Sequence, residues 1–441
     1  MQKDIDPALS APRPTFAEAL AVWTRIGLLS FGGPAGQIAM MHRVLVDERR
    51  WIDEQRFLNA LNFCMLLPGP EATQLATYVG WRLHGIKGGL AAGILFVLPG
   101  ALMMLLLSML YAAFGKLPLA EALLTGVKAA VLAVVLEALI RIARRALKGG
   151  VDWLLAGLAF AAIYLFGVPF PVIVFAAALF GFLRGRSDAT ADPVAAAGVP
   201  PDVTPARTAA TAALWLAIWA APLAALAGIY GRDHVLTDIS LFFSKLAVVT
   251  FGGAYAVLAY MREAVPSDYG WLTKLEMVDA LGLAETTPGP LILVTQFVGF
   301  LGAMRQGGGD PWLMGALGAF ATTWATFAPC FLWIFVGAPY IERLNANPKL
   351  KSALAAVTAA VVGVVLNLTV TFAVDVLAPT SSERWFGWLR LYLPDLSGIS
   401  GLAAALSLVA IAMTFRFHRS ILETLAACAA LSLAAYLLAV R

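Results

Sequence analysis

Four short runs of glycine and proline carry the residue types best suited to holding an anion, and they form two matching pairs. Ser30-Phe31-Gly32-Gly33 answers Thr250-Phe251-Gly252-Gly253, and Pro68-Gly69-Pro70 answers Pro288-Gly289-Pro290. Glycine lets the backbone approach a ligand closely. Proline lacks an N–H and excludes a continued helix, so each Pro-Gly-Pro marks a break. A helix that restarts after a break presents free N–H groups and about half a positive charge. Such an end suits a tetrahedral oxyanion, which needs donors and positive charge once its water is removed. Ser30, Thr250, Thr286 and Thr287 are candidate hydroxyl donors beside the breaks, and Gln74, Tyr78 and Gln296 are further polar groups near them. Any one of these runs can be explained by tight packing and kinks. Both signatures recurring in both halves favour function.

Charges supply the second set of candidates. Arg25 lies five residues before Ser30, and Lys245 five before Thr250. Two symmetric cations beside the Gly-Gly runs can cradle an anion, or they can snorkel to lipid headgroups. Lys128 sits near the middle of the apolar stretch 120–140, where snorkelling is difficult. Glu137 and Arg141, four apart on that stretch, are expected to pair. Glu71 directly follows the first Pro-Gly-Pro, and Glu285 precedes the second by three residues. Either can carry a proton or cap a half-helix. Leu291 occupies the Glu71 position in the second half and Met65 the Glu285 position in the first. A strictly symmetric proton relay is therefore not expected.

The elements that must position these residues follow from composition. The chain has 441 residues, 60% of them hydrophobic and 13% charged, with a mean hydropathy of +0.81. The charged share is about half that of a soluble domain. These values exclude a soluble globular enzyme, a disordered chain, a collagen and a disulfide scaffold. They predict an all-α polytopic membrane protein. A crossing takes about 20 apolar residues, so about ten to thirteen embedded segments fit. Continuous rather than alternating apolar runs argue against a β-barrel. The net charge of +4 reports basic cytoplasmic loops rather than nucleic-acid binding. Cys64, Cys330 and Cys428 lack metal-ligand spacing and are expected to be buried thiols. The polar first residues do not resemble a cleaved secretory signal, so the first embedded segment is expected to direct insertion. The sequence contains no GxxxxGK[ST], HExxH, CxxC or GxSxG pattern. No ATP-driven pump, metal site, cofactor or enzymatic activity is expected.

Residues 184–207 break the apolar pattern with Pro193, Pro200, Pro201 and Pro205 among Asp188, Asp192 and Asp202. They are expected to form an exposed linker between a first repeat, 1–183, and a second, 208–441. The repeats hold a register of 220 positions: 30 to 250, 51 to 271, 68 to 288. It settles at 230 further on, with Pro99 on Pro329 and Val127–Val131 on Val357–Val361. Duplicated membrane proteins commonly place their site at the repeat interface near mid-membrane. Loop 42–56 holds Arg43, Arg49, Arg50 and Arg56, whereas 262–276 holds Arg262 and Lys274. That bias predicts inverted repeats, with 42–56 and 141–148 cytoplasmic, although Arg343, Lys349 and Lys351 fit poorly. The segment 57–83 must then enter and leave on one face, as a re-entrant or broken hairpin. Broken backbone survives at membrane depth only when buried in protein or lining a wet cavity.

The stretches SFGGPAGQIAMMH (30–42), LLPGPEATQLATYVGW (66–81), GGLAAGILFVLPG (88–100), VVTFGGAYAVL (248–258) and GLAETTPGPLILVTQFVGF (282–300) resemble the chromate ion transporter family in its long two-domain form. The resemblance covers roughly 15–150 and 240–375 and is silent on 376–441. It implies export of chromate across the bacterial inner membrane, driven by membrane potential or a proton gradient and conferring chromate resistance. It also implies that sulfate mimics the substrate. The expected partners are the oxyanion and the lipid bilayer, with a homodimer allowed. A membrane potential contributes about 2.3 kcal/mol per charge per 100 mV, so a dianion leaving a negative interior gains about twice that. Another oxyanion on the same scaffold, an integral-membrane enzyme acting on lipid, and a non-transporting scaffold are the alternatives.

Overall fold

A computed structural model describes residues 14–185, 204–251, 253–341, 344, 347–380, 382–393 and 396–440. Sixteen α-helices and one two-stranded hairpin lie within them. Helix α1 (Phe16–Leu29) opens with a capping box, in which Thr15 and Glu18 satisfy each other's backbone N–H groups. It ends at Ser30, and α2 (Gly33–His42) restarts after Gly32. A π-turn over Arg43–Glu48 follows, and the Trp51 N–H closes it on the Leu45 carbonyl at 2.8 Å. Helix α3 (Glu54–Leu66), capped by Asp53, runs to the first Pro-Gly-Pro.

Beyond that break, α4 (Glu71–Phe114) is a helical hairpin. It turns at His84 and Gly85, whose φ is +62°. Its arms, 71–83 and 86–114, pack so closely that a Cβ on Gly80 would lie 2.4 Å from the Gly88 carbonyl oxygen. Helices α5 (Pro118–Ala146), α6 (Gly150–Phe166) and α7 (Phe170–Arg184) complete the first half. Residues 186–203, most of the expected linker, lie outside the described residues.

The second half opens with α8 (Pro205–Tyr230) and then repeats the first half's start element by element. Helix α9 (Val235–Val249) ends at Thr250, and α10 (Ala254–Ala264) restarts after Gly253. A π-turn over Val265–Tyr269 is closed by the Trp271 N–H on the Val265 carbonyl at 3.3 Å. Helix α11 (Lys274–Thr286), capped by Thr273, runs to the second Pro-Gly-Pro. Trp51 and Trp271 are both buried, so they lock turns rather than anchoring a lipid interface. Helices α12 (Val294–Gln306) and α13 (Pro311–Gly337) form the second hairpin, in which Gly299 meets Gly318. Then come α14 (Pro348–Leu377), β1 (Ser382–Phe386), β2 (Leu389–Leu393), α15 (Gly401–Ile411) and α16 (Ile421–Val440).

The antiparallel β-hairpin is a small exception within the expected helical architecture. Its strands pair Phe386 with Leu389 across Gly387. Arg390 fastens it: the buried guanidinium donates to the Ile163 carbonyl at 2.6 Å and pairs with Glu263. These contacts satisfy a carbonyl at the C-terminal end of α6.

Among the described residues, six helices are long and apolar enough to cross a membrane, and four shorter ones are apolar. The broken pairs differ. Helix α1 has 14 residues and α2 has 10. At about 1.5 Å per residue neither alone spans a hydrocarbon core of about 30 Å. The two halves are exchanged around α5 and α14. Helix α5 packs along α15 and α16 of the second half, and α14 along α6 and α7 of the first. Small residues make this possible: a Cβ on Gly126 would lie 2.2 Å from the Cys428 carbonyl oxygen, and one on Gly363 2.1 Å from that of Ala156. Such close approach drives association where lipid removes the hydrophobic incentive.

Arg262, counted above as a loop cation, is buried. Its Nη2 lies 2.5 Å from Asp375 Oδ2 on α14. Loop 262–276 therefore keeps only Lys274 as an accessible positive charge.

Candidate functional site

The four breaks meet in two crossed junctions. The Gly69 N–H donates to the Thr250 carbonyl at 2.9 Å, and the Gly289 N–H donates to the Ser30 carbonyl at 2.8 Å. These pairs are exchanged by the repeat register, so each half's Pro-Gly-Pro is bonded to the other half's Gly-Gly run. Junction one joins Pro68–Glu71 to Thr250 and Gly253, and junction two joins Pro288–Leu291 to Ser30–Gly33. Ser30, Gly69, Pro70, Thr250, Thr287, Pro288, Gly289 and Pro290 are buried, and Pro68 is half-buried. Gly69 and Gly289 have φ of +103° and +81°, a region that requires glycine. Helix-interior prolines adjoin both junctions. A Cβ on Gly100, next to Pro99 inside α4, would lie 2.2 Å from the Pro288 carbonyl oxygen. Cys330, next to Pro329 inside α13, lies beside Gly69.

The helices that restart at the junctions are open. Side chains of Thr15, Asp53, Thr204, His234, Thr273, Asp310, Asn347 and Ser400 cap helix starts elsewhere. No side chain caps the starts after Gly32, Pro70, Gly253 and Pro290. The starts of α5 and α7 are open as well, each with proline in its first turn. At Gly32 and Gly33 a Cβ would meet nothing within 4 Å, so the backbone there faces open space. Gly252 lies outside the described residues.

The hydroxyls expected as anion donors are committed elsewhere. Ser30 Oγ donates to the Ile26 carbonyl and Thr250 Oγ1 to that of Leu246, both at 2.5 Å. Thr286 and Thr287 likewise donate to Leu283 and Ala284, at 2.7 and 2.8 Å. Bonding back to the preceding turn consumes the only O–H of each group. Backbone N–H groups therefore remain as donors. Each junction also carries one glutamine holding a carbonyl of its Pro-Gly-Pro run. Gln74 Nε2 donates to the Pro68 carbonyl at 2.7 Å, and Gln37 Nε2 to that of Gly289 at 2.5 Å. Gln37 was not among the sequence candidates, although it lies within the SFGGPAGQ stretch.

The charged candidates separate into three groups. Glu71 reaches across junction one: a Cβ on Gly253 would lie 3.6 Å from its Oε1. Glu285 is buried and accepts from the Tyr255 hydroxyl at 2.8 Å. Both carboxylates thus converge on the start of α10, while junction two has neither. Lys128, expected as a free cation, is neutralised by Asp279 on α11, with Nζ 3.1 Å from Oδ1. The Tyr111 hydroxyl donates to the other Asp279 oxygen at 3.0 Å. Arg25 and Lys245 do not join the junctions. The Arg25 side chain is 56% exposed, with Glu48 3.9 Å away. Exposed Leu28 lies one turn along the same stripe, and Lys245 stands between exposed Leu241 and Val248. This is the placement of cations that snorkel. Glu137 and Arg141 pair as expected.

No group of three or more His, Cys, Asp or Glu that could hold a metal occurs among the described residues. The arrangement brings the breaks of one repeat against those of the other, junction by junction.

Comparison with known proteins bears on the same segments. A family model described as "Chromate transporter" matches residues 17–182 and 237–435. Both repeats are covered, and the match extends into the C-terminal helices beyond the stretches that carry the resemblance. The chain is 33% identical over 384 residues to a "Chromate transport protein" of Pseudomonas aeruginosa, covering 85% of this chain and 83% of that one. It is 31% identical over 373 residues to a "Chromate transport protein" of Cupriavidus metallidurans, covering 82% and 84%. It is 29% identical over 396 residues to a "Probable chromate transport protein" of Synechococcus elongatus, covering 87% and 94%. No solved structure matches the chain.

Proposed function

The chain belongs to the chromate transporter family, and from that premise we propose that it exports chromate through the crossed junctions, driven by the membrane potential. The observation that carries this is the reciprocal pair of bonds, Gly69 to Thr250 and Gly289 to Ser30, which joins open helix starts of the two halves pair by pair. Amides and helix dipoles bind an oxyanion without fixing a net positive charge in the membrane. Release on the far side then needs no strong ion pair to be broken. The acting groups are the backbone at Gly32, Gly33 and Gly253, held in place by the bonds that the Gly69 and Gly289 N–H groups make across the junctions. Lys128, balanced by Asp279, positions α11 against α5 rather than meeting the anion.

The two repeats are inverted, so that loop 42–56 is cytoplasmic and loop 262–276 external, in keeping with their basic residues. Alternating access follows from rocking one repeat against the other around the shared junctions. In a bacterial inner membrane a departing dianion gains about 4.6 kcal/mol per 100 mV, which makes efflux, and hence chromate resistance, the favoured direction. Sulfate has the same shape and charge and competes.

Everted membrane vesicles bearing the protein test this. Chromate uptake that depends on an interior-positive potential and falls with added sulfate is expected. Uptake no greater than in empty vesicles overturns the proposal.

A further inference from the structure

Resting on the oxyanion site proposed above, we propose that Glu71 is a tethered occupant of that site: ionised, its carboxylate takes the oxyanion's place at the start of α10, and protonated, it withdraws. Glu71 is the first residue of α4, and it extends from one half's break to the other half's. A Cβ on Gly253 would lie 3.6 Å from Oε1 and 4.0 Å from Oε2. Gly253 opens α10, an 11-residue helix whose start has no side-chain cap. A carboxylate and an oxyanion are drawn to such an end by the same N–H groups and dipole.

A second observation lies on the first turn of α4. Thr73 and Gln74 are fully buried, and Thr73 Oγ1 and Gln74 Oε1 have no hydrogen-bond partner among the described residues. Gln74 is held at the junction by its Nε2, which donates to the Pro68 carbonyl at 2.7 Å. Its Oε1 is thus an idle acceptor three residues along the helix from Glu71. A protonated Glu71 carries an O–H that needs such an acceptor, whereas an ionised one has nothing to donate. The turn therefore offers the neutral carboxyl a partner, and α10 offers one to the ionised form.

The sister junction lacks this arrangement. Leu291 and Val294 stand at the Glu71 and Gln74 positions. One junction is self-occupied and the other is open. The titratable groups that bear on Glu71 are Cys64 on α3 and, from α5, Arg145, while Cys330 on α13 bears on Cys64 in turn. Glu285, with Tyr255 bonded to it, lies further along the same start of α10.

The sign follows directly. Ionised Glu71 repels and displaces the dianion, so oxyanion affinity falls as pH rises through the titration of Glu71. Reciprocally, binding the dianion takes up a proton. Chromate binding to the purified full-length protein, measured by calorimetry across a pH series in which chromate stays a dianion, tests this. The wild type is expected to weaken about 5- to 150-fold over the titration. Glu71→Gln is expected to bind at the tight limit at every pH. Repeating the titration in buffers of different ionisation enthalpy should count about one proton taken up per chromate in the wild type and none in the variant. Glu137→Gln, whose side chain pairs with Arg141 away from the junctions, should keep the pH dependence. If Glu71→Gln does not fold, Glu71→Leu, which copies Leu291, serves with the same expectation. A folded Glu71 variant that retains the wild-type pH dependence, or that loses binding, overturns the proposal. Absence of chromate binding by the wild type at any pH would instead overturn the oxyanion site itself.

Discussion

Replacing Lys128 by methionine leaves Asp279 as a buried charge on α11. Lys128 Nζ lies 3.1 Å from Asp279 Oδ1, and the two side chains are 19% and 5% exposed. At that separation and an effective dielectric of about 20, the attraction is about 5 kcal/mol. Measured losses on removing one partner of a buried pair are about 3–5 kcal/mol, because the survivor is stranded. Lys128→Met should therefore lower the unfolding free energy in detergent by about 3–5 kcal/mol. It should also abolish transport by loosening α11, where Gly282 packs directly on Val127. The double variant Lys128→Met/Asp279→Asn removes both charges and keeps an acceptor for the Tyr111 hydroxyl, whose bond to Asp279 is 3.0 Å long. It should regain all but about 1 kcal/mol of stability, together with most of the transport. The assay is denaturant unfolding of the four proteins of the cycle alongside chromate flux in vesicles. A double variant no more stable than the single refutes the pairing. Recovered stability without recovered flux refutes the positioning role and makes Lys128 a direct ligand of the anion.

Two further predictions concern the junctions and their surroundings. Gly69→Ala and Gly289→Ala each force a side chain into a left-handed backbone, at about 1–3 kcal/mol. Each should cut flux severely in protein that still inserts, because each N–H bond closes one junction. Arg25→Ala and Lys245→Ala, on exposed stripes, should retain chromate flux within about threefold of wild type, since snorkelling charges contribute little.

The duplicated body was visible in the sequence because its anchors are rare residues in one register. Trp51 and Trp271, the Pro-Gly-Pro runs and the Gly-Gly runs all sit where local backbone geometry demands them. The partners that complete the site were not visible, because they come from far along the chain. Gln37 bonds Gly289 across 252 positions, and Arg262 finds Asp375 across 113. Nothing near Lys128 in sequence points to Asp279 on another helix. Hydroxyl direction was hidden for a different reason. Sequence shows that Ser30 and Thr250 have an O–H, but only the helix they terminate decides that it bonds back to Ile26 and Leu246. The facing of Arg25 and Lys245 was also obscure. Helices that contact both protein and lipid are apolar all round, so periodicity does not tell one face from the other. The β-hairpin was hidden for the same reason as the site partners, since Arg390 is fastened to Ile163 on α6, 227 positions away.

The most direct measurement is a chromium anomalous difference map from crystals of the full-length protein grown with chromate. A peak is expected between the two junctions, within hydrogen-bonding distance of backbone N–H groups near Gly32–Gly33 or Gly253. A peak beside Arg25 or Lys245, with none at the junctions, would contradict the account.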